Sequence, residues 1–280
     1  MRARTNRLPR LCAGALVLAG AAPAAALDLN GFLPAAGQGD LALSYTSESY
    51  DEFWVGDTKV SDPGVGEVET TSFTVWLQWG FTDDLALVAN LPYVDADSDG
   101  LGGFSESDLQ DLAALLKYRF AELGGGSARH SFVGAVGGRV AASDYEDNLP
   151  VDVGDGTSDV LLRLVYQVEA GAFYFSQQVG FDLRGGDAPD GFPLYTELGY
   201  TFARVTLNAY HLAYVADGGT DIGDPGFTFP SNQDETRRVG GKLYARVSNA
   251  VGLSALAFTT LDGRNSGDAT GFSLGAVFRF

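Results

Sequence analysis

The stretch DADSDGLGGFSE, from Asp95 to Glu106, satisfies the pattern D-x-D-x-D-G-x5-E at every specified position. Asp95, Asp97, Asp99, the carbonyl of Leu101 and a bidentate Glu106 could ring a Ca²⁺, with Gly100 making the sharp turn. The flanks are strand-like rather than helical, and position eight is Gly102 where such loops usually carry an aliphatic side chain. The competing reading is the loop acidity expected of any chain so rich in Asp and Gly. As a calcium site it would be extracellular and structural; no other feature asks for a cofactor. The acidic run from Asp144 to Asp159 fits a solvated cap able to share divalent ions with neighbouring phosphate groups.

Two histidines are the candidates for acid–base chemistry. His211, in LNAYHLAYV, alternates with Ala209 and Ala213, a parity that points it to the apolar side. A lipid-cleaving enzyme needs a nucleophile within hydrogen-bond reach of such a base, and no serine motif accompanies it. His130 follows a short turn and suits solvent. The chain is therefore expected not to be an enzyme.

A third constellation is charged. From 236 to 249, Arg238, Gly240, Lys242, Tyr244 and Arg246 alternate with Val239, Gly241, Leu243, Ala245 and Val247. The same parity places Lys117, Arg119, Arg139 and Arg163 with Asp111, Asp159, Asp182 and Glu197 on one side of the chain. Inside a water-filled barrel, charges of both signs would set a transverse field that orients dipolar solutes. In a narrow, plugged barrel they would simply pair.

These side chains need elements of period two to position them. The carboxyl-terminal run GFSLGAVFRF keeps Phe272, Leu274, Ala276, Phe278 and Phe280 on one face, with Val277 as the exception on the other. Twelve such segments occur: near 40–50, 69–81, 85–95, 108–120, 129–142, 158–169, 172–184, 193–203, 205–216, 236–249, 251–262 and 269–280. Their length suits tilted strands crossing a bilayer. The links alternate between tight turns and long loops rich in Asp, Gly and Pro, the loop 217–235 carrying Phe227, Phe229 and Pro230 as a candidate constriction.

Residues 1–26 have the form of a cleavable secretory signal, with Arg2, Arg4, Arg7 and Arg10 ahead of an apolar run ending in Ala24-Ala25-Ala26. Cleavage there removes the single cysteine and leaves 14 Lys plus Arg against 36 Asp plus Glu. That excess repels nucleic acid, and the loss of the cysteine rules out a disulfide framework. Residues 27–39 are then expected in the periplasm and 40–280 in one all-β unit, a transmembrane antiparallel β-barrel of about twelve strands. Hydrocarbon cannot satisfy an open sheet edge, so the last strand must pair with the first. Phe280 would sit at the lower interface, where aromatic side chains form a girdle.

The segments 39–57, 80–94 (GFTDDLALVANLPYV) and 108–120 (DLQDLAALLKYRF) resemble the family of phenol meta-pathway degradation proteins, outer-membrane barrels labelled as transporters. The resemblance covers the first third to half of the chain. It implies a passive, porin-like channel in the outer membrane of a Gram-negative cell, for small solutes of the aromatic or hydrophobic kind, and it carries no enzyme motif. Phe280 also resembles the aromatic signal read by the outer-membrane assembly machinery. The partners expected are that machinery, outer-membrane lipid and lipopolysaccharide, and a small-molecule solute. The alternatives are a structural or surface-binding barrel whose acidic loops hold cations and, less favoured, a lipid-active enzyme.

Overall fold

The computed structural model describes residues 27–280 apart from 62, 63, 65, 101, 102, 147–150 and 152. The expected leader, residues 1–26, and the carbonyl of Leu101 lie outside the described residues.

Alternation becomes a closed wall. The strands are β1 (Gly39–Tyr50), β2 (Glu52–Val55), β3 (Thr58–Ser61), β4 (Val68–Gly80), β5 (Leu85–Ser98), β6 (Phe104–Leu109), β7 (Asp111–Gly125), β8 (Ala128–Ala141), β9 (Asp159–Ala170), β10 (Phe173–Leu183), β11 (Gly191–Phe202), β12 (Val205–Ala216), β13 (Glu235–Arg246), β14 (Val251–Arg264) and β15 (Thr270–Arg279). Each wall strand pairs antiparallel with its sequence neighbour, and β1 pairs with both β4 and β15. β6 and β7 share one place in the wall, since both pair with β5 and part only at Gln110. The result is a closed antiparallel barrel of twelve strands, with no helix among the described residues. The expected strand at 108–120 is thus two pieces, and the hairpin of β2 and β3 lies inside what the sequence suggests is a plain loop.

Closure occurs at the expected seam. Asp40 faces Arg279 and Leu41 faces Phe278, and Gly39 and Phe280 exchange backbone hydrogen bonds of 2.9 and 3.0 Å. Phe280 stacks on Trp79 with ring centroids 5.4 Å apart. No edge is left unpaired at the seam, which is the condition for a sheet surrounded by hydrocarbon.

The turns explain the asymmetry of the two ends. Residues 203 and 204 alone join β11 to β12, and Ala203 takes φ of 51° there, the positive value that a two-residue hairpin demands. Gly171 does the same between β9 and β10 with φ of 62°. At the other end the connections are long and carry the β2–β3 hairpin.

Side chains sort by parity as expected. Phe73, Leu116, Leu164, Leu274 and Phe278 are exposed on the outside of the wall, whereas Gln167, Gln178, Asp182 and Glu197 are fully buried inside it. Burial of polar and exposure of apolar groups inverts the soluble pattern and fits a barrel whose solvent is lipid. Val277, the exception in the last strand, faces inward and joins an internal apolar cluster with Trp76, Val88, Leu115, Val133, Leu161, Val165 and Phe258.

Candidate functional site: the barrel lumen

The lower lumen is occupied by the chain's own first described residues. Gly37 N donates to Gly80 O at 2.8 Å, and Ala36 N to Asp83 Oδ1 at 3.1 Å, anchoring the segment at the short-turn end. From there it runs into the barrel, not out into the periplasm as the sequence suggests for 27–39. The Phe32 carbonyl accepts from Lys117 Nζ at 2.6 Å and Gln78 Nε2 at 3.0 Å, and its ring meets the edge of Tyr174 at 4.9 Å. Gly31 N donates to Gln167 Oε1 at 2.8 Å and Leu29 N to Gln178 Oε1 at 2.7 Å. Leu27 and Leu29 pack into the internal apolar cluster. The physical reason is plain: this wall has inward Val88, Leu115, Val133 and Val165 that would otherwise face water, and a short apolar segment covers them. Position 31 must be glycine, because a Cβ there would lie 2.5 Å from Gln167 Cβ.

Above this plug the charges pair. Glu197 on β11 accepts from Tyr174, from Tyr195 and from Lys242, the last at 3.2 Å. The Lys242 ammonium also lies 4.8 Å from the ring centroids of both Tyr195 and Tyr210. Arg163 on β9 meets Asp182 on β10 at 2.5 Å. Arg139 on β8 pairs with Asp159 on β9 and lies 3.8 Å from Asp111, which accepts from Tyr145. Arg184 joins Asp155, and Arg238 lies 3.3 Å from Glu48. Arg238 further stacks over Phe258 at 5.0 Å.

Of the residues expected in the lumen, Asp111, Lys117, Arg139, Asp159, Arg163, Glu197, Arg238 and Lys242 are buried inside the barrel. Arg246 is only half-buried, near the short-turn rim, where its amide bonds to the Arg204 carbonyl. Arg119 is likewise a rim residue, paired with Asp84 at 2.7 Å. The expected transverse field is not built. Most acids sit beside a base on the same or a nearby strand, so their fields cancel locally instead of crossing the lumen. Glu48, Asp155, Arg184 and the tyrosines at 174, 195 and 210 complete the network without having been expected. Glu48 shares parity with the inward Ser44 and Thr46, a signal that the sequence does carry.

Part of the network remains open. Among the described residues, Arg163 Nε and Nη2, Asp182 Oδ2, Arg184 Nε, Arg238 Nε and Tyr214 Oη are buried without a hydrogen-bond partner. Such groups are uncommon in a finished core and ask for water or a solute.

The outer mouth is covered by loops. A cavity beneath them is lined by Tyr50, Phe53, Val68, Val151, Val153 and Phe229, with Glu48, Asp155, Asp234 and Arg238 at its polar side. Phe229 and Pro230 of loop 217–235 do reach this cavity, as their position in that loop suggests. Burial, with Asp155 close by, pushes the Asp234 carboxyl well above the usual carboxylate range. Asn265 clips the cover together. Its Oδ1 accepts from Gly56 N at 2.9 Å and Ile222 N at 3.0 Å, and its Nδ2 donates to Asp221 Oδ1 and the Gln233 carbonyl, both at 2.9 Å. Asp221 also receives the Arg264 guanidinium at 2.8 and 2.5 Å, which holds its carboxyl below the ordinary value.

The calcium ligands are not brought together. Asp95 and Asp97 lie on β5, alternating with the buried Val94, Ala96 and Ser98, while Glu106 on β6 stands opposite Ala96. The pleat therefore puts the aspartates on the outer face and Glu106 on the inner one, where its Oε1 accepts from Glu146 N at 2.8 Å. Asp99 spends an oxygen on the Glu67 amide at 2.7 Å. No group of three or more His, Cys, Asp or Glu able to hold a metal occurs among the described residues.

His211 faces outward, as its parity suggests, directly across from Thr196. The Thr196 hydroxyl donates to Gln177 Oε1 at 2.7 Å rather than to the imidazole. A general base must accept the nucleophile's proton, and this pair is not arranged to do so.

Comparisons of the sequence with protein-family profiles and with curated proteins find no match. Solved structures do match the fold. The COG4313 outer-membrane channel of Pseudomonas putida F1 superposes with a TM-score of 0.72 over 90% of this chain and 98% of its own, at 17% identity. The NanC porin gives 0.52 over 85% and 98%, at 8% identity. The translocator domain of the autotransporter NalP from Neisseria meningitidis gives 0.51 over 88% and 90%, at 10% identity. The fold is that of an outer-membrane barrel, a class that includes channels, porins and translocators.

Proposed function

We propose that this protein is an outer-membrane channel for small solutes, entered beneath the loop cover and closed at rest by residues 27–33. The observation that carries this is the band of buried, ionised groups between plug and cover, with unpaired polar atoms on Arg163, Asp182, Arg238 and Tyr214. In a conduit they are the groups a passing, partly hydrated solute meets. The apolar lining from Phe53, Val68, Val151, Val153 and Phe229 supports small aromatic or hydrophobic compounds as the cargo.

The plug is held without covalent bonds, by four side chains that grip backbone groups, so it can be withdrawn toward the short-turn end without altering the wall. The test is conductance in planar bilayers. The full-length protein should show brief, low openings, and deletion of 27–33 should give a sustained open level. Substituting Arg163 or Lys242 by Ala in the deleted form should then change ion selectivity. A deletion variant that is folded yet electrically silent would overturn the reading.

A further inference from the structure

On β10, β11 and β12 three polar residues point outward in register: Gln177 opposite Thr196, and Thr196 opposite His211. Their depth can be read from the aromatic rings on the same strands. Phe173 and Tyr200 pack at 4.6 Å below them, and Phe181 and Phe192 at 5.0 Å above. Gln177 is four residues from Phe173 and four from Phe181, and Thr196 four from Tyr200 and four from Phe192. With the aromatic girdles marking the two interfaces, the three polar side chains lie at the middle of the hydrocarbon layer.

That is an unfavourable place for a hydrogen-bonding group. Water is absent, and headgroups lie about 15 Å away, beyond the reach of an imidazole. Gln177 and Thr196 answer the difficulty locally: Thr196 donates to Gln177 Oε1, and the Gln177 amide donates to the carbonyls of Gln178 and Tyr195 at 2.9 and 3.3 Å. His211 makes no hydrogen bond or ion pair among the described residues. It holds one free N–H and one free acceptor nitrogen, and Thr196 Oγ1, whose O–H donates to Gln177, retains acceptor capacity.

The surrounding surface is shaped for close approach. Ala209 and Ala213 flank His211 on its own strand, and Ala209, Gly241 and Ala257 stand opposite one another on β12, β13 and β14. These small side chains leave a shallow floor, whereas the wall a half-turn away carries Leu116 and Tyr118. Small residues around a polar centre let two membrane-embedded surfaces come close enough to share hydrogen bonds.

We propose that this face is the contact of a homodimer in the membrane, in which each His211 donates to Thr196 Oγ1 of a second copy. The patch is self-complementary in the required sense. Thr196 and His211 are cross-strand neighbours, so a two-fold axis along the membrane normal passing between them sets His211 of each copy beside the other's Thr196. The donor and the acceptor left over on one copy are those the other needs. A lipid chain would cover the same area but satisfy neither.

The experiment uses single-cysteine variants of the full chain, oxidised in native outer membranes and separated without reductant. His211→Cys in one chain with Thr196→Cys in a second, co-expressed chain should cross-link to a dimer, and Leu116→Cys, also on the lipid-facing wall, should not. In mild detergent the unmodified protein should be dimeric by light scattering, and His211→Leu should dimerise about tenfold more weakly, the size expected for two membrane-embedded hydrogen bonds. Heat-modifiable migration checks that each variant is a folded barrel; leucine suits a lipid-facing site and should not disturb it. Equal cross-linking of the 211–196 pair and at 116, no cross-linking of that pair, or a His211→Leu dimer as tight as the original would each overturn the proposal. All readouts are independent of conductance, so the dimer and the channel can fail separately.

Discussion

The two ends of the lumen are closed by different chemistry. The plug is held by buried side chains on backbone groups, three neutral amides and the Lys117 ammonium, and by buried Leu27 and Leu29; the loop cover adds to the Asn265 amide a set of partly exposed ion pairs, with Lys59 between Glu52 and Asp268 and Arg264 on Asp221. The first set is buried and therefore indifferent to ionic strength, while the ion pairs of the second are exposed to solvent and screened by it. The difference teaches that the two closures answer to different conditions. The outer one can breathe with salt and pH, and the inner one needs a mechanical or binding event to leave.

The comparison is broken most severely at position 31. Gly31→Ala drives a methyl into Gln167, where it would meet Cβ at 2.5 Å, and the overpacking penalty of about 1–3 kcal/mol falls on the plugged state. The ratio of open to plugged channels should rise about tenfold per 1.4 kcal/mol, with the cover unaffected. An unchanged open probability in single-channel recordings would show that the plug does not gate.

A version of similar size removes one amide clamp. Gln178→Leu leaves the amide of Leu29 buried and unpaired, at about 1–3 kcal/mol. Hydrogen exchange should accelerate at residues 29 and 31 and stay constant at 56 and 222. Raising salt should leave those plug rates where they are.

Asn265→Ala sharpens the contrast from the other side. It removes four hydrogen bonds that tie the β2–β3 hairpin to loop 217–235. It also places alanine at φ of 49°, a value asparagine tolerates better. A local loss of about 1–2 kcal/mol is expected, seen as faster exchange at Gly56 and Ile222 and as proteolytic nicking in the cover. Residues 29 and 31 should not respond.

Much of this is legible in the residues. The wall is, because a strand between lipid and lumen must alternate and each tight turn interrupts the pattern: the segment 205–216 has the same bounds in the sequence pattern and in the fold. The buried charges are, since parity is a local property. The plug is not: LDLNGFLPAAG carries no period and finds its place only through glutamines more than a hundred residues away. The calcium pattern misled for a related reason. Its spacing assumes a loop, but Asp95 and Asp97 continue a strand whose pleat sends alternate side chains to opposite faces. Asn265 gave no signal, because its role depends on three loops meeting.

The smallest effect concerns protons, and the cover carries two carboxylates with opposite signs. Asp221 is held below the ordinary value of 3.8 by its hydrogen bonds to Arg264, so it adds stability above that pH, which is lost as pH falls through its lowered value. Asp234 is raised well above 3.8 by burial and by Asp155, so its contribution is fully present below 3.8 and is lost as pH rises through its raised value. On acidification from neutrality, exchange in the cover should first slow as Asp234 takes up its proton, then quicken below pH 3.8 as Asp221 releases Arg264. Asp234→Asn should abolish the first phase and leave the second, while Asp221→Asn should do the reverse. Exchange rates corrected for intrinsic pH dependence decide it: a cover that responds to acid in one direction only would mean that these two carboxylates do not set its stability.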